Sequence, residues 1–284
     1  MKTCKAVGVI ARGKNAVIVG DPKQMPPTNF FASNYFDEEN ATLEDLESIL
    51  DECMTLGMPE TNLKWHYRSR HESLIAFSNN TFYDNDMYTF PSFNDAERKV
   101  NLVKVNGFKA NNRNEKEAAR LVEEIVRRVN DDKLNKFTMG VVTFNIGQQR
   151  YIEKLIEEEC KKNDALKEWI EQMDKEDDTK FFVKNLERVQ GDERDVILFS
   201  IASGKDENGR VSLNFGPLNK EGGQRRLNVA VSRAKQEMVV FSSITSDMIK
   251  EKKPSSAGVI GLMRFLRYAE FGDWGDTTEE KERL

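Results

Sequence analysis

The stretch LERVQGDERDVILFSIASG, residues 186–204, and the later stretch GGQRRLNVAVSRAKQEMVVFSS, residues 222–243, decide how this chain reads. Each carries a near-continuous apolar run, 196–202 and 238–241. Such runs fit strands covered on both faces, as in parallel sheets. A dense polar knot, Gln190, Gly191, Asp192 and Glu193, precedes the first run. A segment read as helical precedes the second and carries Arg225, Arg226, Arg233 and Lys235. Polar residues beside the ends of buried strands are how open α/β sheets build ligand crevices.

Outward from these strands, helix and strand patterns alternate from about residue 63. A helix is predicted over 71–83 and a strand over 101–105. The amphipathic run 114–129 follows, with Leu121, Val122, Ile125, Val126 and Val129 at helical spacing. A strand over 138–144, a helix over 148–161 and a last helix over 258–270 complete the pattern. Residues 162–180 are charge-rich and are read as a solvated helix or a mobile insertion. Near the start, 3–10 has one apolar face, 16–19 reads as a short strand, and 42–56 as a helix capped by Thr42. Strand–helix alternation of this kind predicts an α/β fold with a mostly parallel sheet sandwiched by helices.

Composition narrows the class. The 284 residues carry 43 Lys+Arg and 48 Asp+Glu, a net charge of -5. Any nucleic-acid contact must therefore come from a local basic patch rather than the overall charge. No apolar run reaches membrane-spanning length, and no secretory signal is visible. The cysteines, Cys4, Cys53 and Cys160, lack metal-ligand spacing, and His66 and His71 have no Cys nearby, so no metal site is expected. Reduced thiols and no leader point to the cytoplasm. The stretch GVIARGKN, residues 8–15, nearly matches a phosphate-binding loop, but Asn15 stands where a hydroxyl should hold magnesium and a strand is expected where the motif needs a helix.

Four stretches in order resemble the second half of a superfamily 1 helicase motor, of the Upf-like 1B branch. GDPKQMPPT at 20–28 resembles motif III. LKWHYRSRHESLIAFSNNTFY at 63–83 resembles the arginine-bearing motif that opens the second RecA-like domain. LERVQGDERDVILFS at 186–200 resembles motif V, RRLNVAVSRAKQEMVVFSS at 225–243 resembles motif VI, and TFNIGQQ at 143–149 fits between them. The resemblance covers nearly the whole chain and is nearest to large bacterial helicases, in which a nuclease domain similar to very-short-patch-repair enzymes often follows the motor. The phosphate-binding loop and acidic magnesium motif of the family precede motif III and do not occur in these residues. The resemblance therefore implies a RecA-like α/β fold divided as a first-domain remnant at 1–35, a helical connector at 36–62, the second RecA-like domain at 63–270 and a polar tail at 271–284.

The resemblance also implies roles. ATP and Mg2+ belong to the full motor, where the first RecA-like domain, acting in cis, holds the phosphates and metal; this part is expected to bind neither tightly and to be inactive alone. Arg233 is the implied arginine finger, Arg68 a second γ-phosphate contact, and Gln24 the amide that senses phosphate. A planar, always-charged donor suits charge on a transferring phosphoryl group. Tyr67 is the implied base-stacking aromatic, Glu193 the carboxylate reaching the nucleotide sugar, and Gln190 a link from cleft to nucleic-acid track. Thr143 and Asn145 are implied phosphate contacts for single-stranded nucleic acid, with DNA favoured over RNA. Arg225 and Arg226 are left open between nucleotide, carboxylate partners and solvent. The competing reading is a stand-alone, non-catalytic RecA-like module that binds nucleic acid or a partner. A dinucleotide-binding oxidoreductase is excluded because no G-x-G-x-x-G follows a first strand.

Overall fold

The computed structural model describes residues 1–25, 48–92 and 97–274. The chain divides into two compact units, Met1–Lys64 and Trp65–Leu284. The first contains helix α1, Thr3–Ile10, and helix α2, Ile49–Thr55. Ser48 caps α2 by accepting the Asp51 N–H at 3.1 Å, the role expected of a hydroxyl residue at a helix start. The helix predicted over 42–56 is thus seen at its C-terminal half, and 42–47 lie outside the described residues. The strand expected at 16–19 does not form. Val17 is 89% and Val19 80% exposed, and no ladder partner for this segment occurs among the described residues, so its backbone has nothing to pair with.

The second unit begins with a two-stranded parallel sheet, β1 (Trp65–His66) and β2 (Tyr88–Thr89), bracketing helix α3, Ser73–Phe82. The main sheet follows: β3 (Val100–Lys104), β4 (Met139–Thr143), β5 (Phe182–Asn185), β6 (Arg194–Ser200) and β7 (Ala234–Ser242). Its spatial order is β3-β7-β6-β4-β5, and every pairing is parallel. The helices are α4 (Glu115–Val129), α5 (Ile146–Cys160), α6 (Asp164–Met173), α7 (Gly223–Val231), α8 (Ser246–Lys250) and α9 (Ala257–Phe271).

Strand alternation sorts the core into two layers. Val196 and Leu198 of β6 pack with Leu121 and Ile125 of α4, Ile152 and Ile156 of α5, and Leu166 and Trp169 of α6. Phe199, one residue out of step, meets Phe265 of α9 at 6.2 Å between ring centroids, and Phe265 meets Phe77 of α3 at 5.2 Å. With both faces covered, each buried leucine or isoleucine contributes about 1.5–3 kcal/mol. The crossing of α7 and α9 is close enough to need glycine: a Cβ at Gly258 would stand 2.2 Å from the Leu218 carbonyl oxygen and 2.9 Å from the Gly223 carbonyl carbon.

Two sequence expectations for the second unit need correction, and one strand was missed. Residues 162–180 do hold a helix, one of the two alternatives, but not a solvated one: Leu166, Trp169 and Met173 bury one face of α6 in the core, and the Trp169 indole N–H donates to the Asn135 carbonyl at 2.6 Å. Strand β5 went unread, since FVKN is short and half polar. Arg233 and Lys235 do not lie on a helix: α7 stops at Val231, where the Ser232 hydroxyl turns back to donate to the Val229 carbonyl at 3.1 Å. Arg233 follows in the turn and Lys235 in β7. No helix of the described residues is long and apolar enough to cross a membrane.

Candidate functional site

The charged residues of the two deciding stretches meet at the N-terminal ends of β6 and β7. The loop after β1 docks there through its backbone, with the Arg70 N–H donating to the Lys235 carbonyl at 2.8 Å. The Ser69 hydroxyl donates to the Ala234 carbonyl at 3.4 Å. This brings Arg68, 125 positions away in sequence, onto Glu193, with Nε to Oε2 at 2.5 Å. Lys235 takes the other oxygen of Glu193 at 3.0 Å. The Arg68 Nη1 also reaches the Ser232 carbonyl at 3.4 Å. Burial alone would push the Glu193 carboxyl up, but the Arg68 and Lys235 hydrogen bonds and charges outweigh it and hold the group below the usual range.

Arg233 sits behind this pair, only 2% exposed. Its Nε donates to the Val229 carbonyl at 2.7 Å and its Nη2 to the Ser232 hydroxyl at 3.0 Å. Burial first, and then the like charge of Arg68, lowers it to about 10, against the opposing pull of Glu193. His66, also buried, is lowered to about 4 by burial and then by Arg68 and Arg233, so its ring is neutral and its Nε2 accepts the Ser69 N–H at 3.1 Å. Two arginines and a lysine thus crowd one carboxylate, an arrangement whose excess positive charge suits an anionic ligand.

Arg194 braces the polar knot from beneath. Its guanidinium donates to the carbonyls of Lys180 at 2.8 Å, Glu193 at 2.6 Å and Asp177 at 3.0 Å, and lies 5.0 Å from the Phe182 ring centroid. Lys184 pairs with Asp192 at 2.6 Å. Gln190 is exposed on the same loop, and Tyr67, 85% exposed, stands beside Arg68 in sequence. Gln24 belongs to the first unit, where its amide donates to Asp21 Oδ2 at 2.7 Å. Arg226 donates to the Glu221 carbonyl at 3.0 Å.

Thr143 and Asn145 lie at the opposite, C-terminal edge of the sheet. Thr143 is fully buried and donates its hydroxyl to the Asn145 carbonyl at 3.0 Å, so it offers no hydroxyl to solvent. The Asn145 side chain caps α5 by accepting the Gln148 N–H at 2.9 Å. These two residues follow β4, whereas the arginine cluster precedes β6 and β7, at the other end of the strands.

Behind that C-terminal edge lies a buried network with no expected role in the sequence. Glu117 Oε1 accepts the Ser200 hydroxyl and the Ala202 N–H, each at 2.7 Å. Gln148 donates to Ser200 Oγ at 3.0 Å and to the Asn114 carbonyl at 3.1 Å, and accepts the Asn114 N–H at 2.8 Å. Asn114 donates to the Ser203 carbonyl and to Ser243 Oγ, each at 2.8 Å. Burial pushes the fully enclosed Glu117 carboxyl up to about 8, against the Ser200 and Ala202 hydrogen bonds. The legible signal was Asn114 followed three residues later by Glu117 at the start of an amphipathic helix, a pattern that reads as a simple helix cap.

A family model described as AAA domain matches residues 46–245. The chain belongs to that family. It is 36% identical over 273 residues to an uncharacterized ATP-dependent helicase, MG140, of Mycoplasma genitalium, covering 92% of this chain and 24% of the relative. It is 34% identical over 273 residues to the MG140 homolog of Mycoplasma pneumoniae, with the same coverage. It is 26% identical to an uncharacterized ATP-dependent helicase, MJ0104, of Methanocaldococcus jannaschii, covering 86% and 34%. The chain thus spans about a quarter of the length of the two mycoplasmal relatives. A solved structure of the C-terminal domain of a possible DNA helicase from Lactobacillus plantarum WCFS1 aligns with a TM-score of 0.36 at 14% identity, over 62% of this chain and 86% of that one. The chain is thus a domain of the superfamily 1 helicase family, and its parallel sheet with flanking helices is of RecA-like type.

Proposed function

We propose that this domain is the C-terminal motor half of an ATP-dependent superfamily 1 nucleic-acid helicase or translocase, working in cis with a first RecA-like domain in a longer protein. The observation that carries the reading is the meeting of Arg68, Glu193, Lys235 and Arg233 at one sheet edge. Three cations around one carboxylate form a donor set that fits nucleotide phosphates. ATP supplies the transferable phosphoryl group. Arg68, tied to Glu193 and the Ser232 carbonyl, is the reachable donor, and Arg233 is the finger held in reserve by Val229 and Ser232. Glu193 is placed to exchange an arginine for a sugar hydroxyl, Tyr67 to stack on a base, and Gln190 to connect this site with the strand track. Gln24 serves as the phosphate-sensing amide, and Asn145 contributes to the nucleic-acid edge. Mg2+ falls to the first motor domain; among the described residues no group of His, Cys, Asp and Glu is arranged to hold a metal. Single-stranded DNA is the favoured track, a nuclease domain in the longer protein is a further partner, and the cytoplasm is the working compartment.

The test is turnover. The isolated chain should hydrolyse no ATP above background, and titration calorimetry should find no micromolar ATP binding, because half a cleft leaves phosphates in water where each contact is weak. Steady ATP turnover by this chain, abolished by Arg233→Ala, would overturn the reading.

A further inference from the structure

The turn that carries Arg68 to Glu193 is closed by His66. This residue ends β1, where it pairs with Thr89 of β2. Its Nε2 accepts the Ser69 N–H at 3.1 Å and lies 2.9 Å from the Ser69 hydroxyl oxygen. Residues 67 and 68 are thereby looped out between the two ends of one turn. From Ser69 onward the chain is tied to β7, through the Ser69 hydroxyl to the Ala234 carbonyl and the Arg70 N–H to the Lys235 carbonyl. Those ties fix where the loop lies. The His66–Ser69 closure fixes how it turns, and so the direction in which Arg68 leaves it toward Glu193 and the Ser232 carbonyl.

The chemistry of that closure is specific. A backbone N–H can only donate, so Nε2 must present its lone pair and the ring proton must sit on Nδ1. A charged ring would turn an N–H against the Ser69 N–H and open the turn. Charge on the ring is opposed by burial and by the nearby Arg68 and Arg233, with Glu193 pulling the other way. With its accepting nitrogen engaged and its ring enclosed, His66 is not an acid or base for a substrate. A neutral imidazole, or an amide of the same reach, can serve as the acceptor, and an apolar side chain cannot.

We infer that His66 is a positioning residue for Arg68, its Nε2 closing the 66–69 turn so that the guanidinium stands where a nucleotide phosphate would replace the Glu193 carboxylate. This rests on the motor reading and deepens it, by adding to the phosphate donors the group that aims one of them. Misplacing a donor by about 1 Å costs on the order of 10²-fold in rate, so an aiming residue can matter as much as a contacting one.

Two measurements test it. The first needs only this chain, whose two histidines should show opposite tautomers in nitrogen-15 spectra at neutral pH. His66 should carry its proton on Nδ1; His71, whose Nδ1 accepts the Ser73 N–H at 3.1 Å, should carry it on Nε2. His66→Gln, which brings an amide to the position of Nε2, assigns the signals. A His66 that is charged, or protonated on Nε2, overturns the inference. The second is steady-state ATP turnover by the proposed longer helicase. His66→Phe keeps a ring without the acceptor, and circular dichroism verifies that it folds. It should lower kcat about 10²-fold with a much smaller change in KM, and His66→Gln should retain most of the rate. In an Arg68→Ala background His66→Phe should have no further effect, because a residue that acts through another adds nothing once that one is gone. Additive losses, or an equal defect in the Phe and Gln variants, would overturn the inference and leave the motor reading standing. Turnover that Arg68→Ala leaves unchanged would overturn both. Should His66→Phe not fold, the Gln variant and the wild-type tautomer still decide.

Discussion

Replacing Glu117 by Gln should remove one defined component of the pH dependence of stability. The carboxyl is fully buried and accepts the Ser200 hydroxyl and the Ala202 N–H through Oε1. Burial raises it from 4.5 to about 8. The folded state then keeps a proton that the unfolded chain has released, so this contribution is fully present below pH 4.5 and is lost as pH rises to 8. Each pH unit in that window removes about 1.4 kcal/mol, about 5 kcal/mol across it, with no further change above. Glutamine keeps an oxygen for both donors and cannot ionise. Denaturant titrations of wild type and Glu117→Gln from about pH 5 to about pH 9 should therefore show the variant gaining several kcal/mol on the wild type as pH rises through this window. Parallel pH profiles would refute the reasoning, because they would mean that Glu117 titrates alike in both states.

Other outcomes follow from packing. Gly258→Ala should cost about 1–3 kcal/mol, because the new Cβ meets the Leu218 backbone oxygen, which cannot swing aside; an unchanged denaturation midpoint would contradict the close approach of α9 to the Leu218 carbonyl. Trp169→Ala should cost about 3–5 kcal/mol if α6 is a core helix, whereas a solvated insertion would lose almost nothing. Acid titration should reveal His66: held neutral down to about 4, it should withdraw stability as pH falls from 6.5 to 4, and His66→Asn should blunt that loss in equilibrium unfolding.

Much of the architecture was legible because β6 and β7 are covered on both faces, and their apolar runs announce it. The amphipathic helix α4 was equally plain, with Leu121, Ile125 and Val129 on one stripe. Less was legible where a short or mixed segment takes its place from neighbours. Strand β5 has Lys184 and Asn185 in its four residues and forms because β4 offers it an edge. Helix α6 hides Leu166, Trp169 and Met173 among charges that face solvent. The charged cluster was readable in its members but not in its geometry. Nothing local says that the Ser232 hydroxyl ends α7 two residues before Arg233, or that the Arg70 N–H ties the β1 loop to β7. The Glu117 network was missed because its residues look like ordinary caps, and only the fold makes them converge on Ser200.

The most direct test is ATP turnover in the proposed longer helicase, with Arg233→Ala and Arg233→Lys compared to wild type and nucleotide affinity measured separately. A finger that acts on the transition state predicts a loss of roughly 10³-fold or more in turnover on Arg233→Ala, a much smaller fall in binding, and poor rescue by lysine, which lacks the planar fork. Retained turnover, or a loss that lies wholly in nucleotide binding, would contradict the assignment of this domain as the arginine-supplying half of the motor.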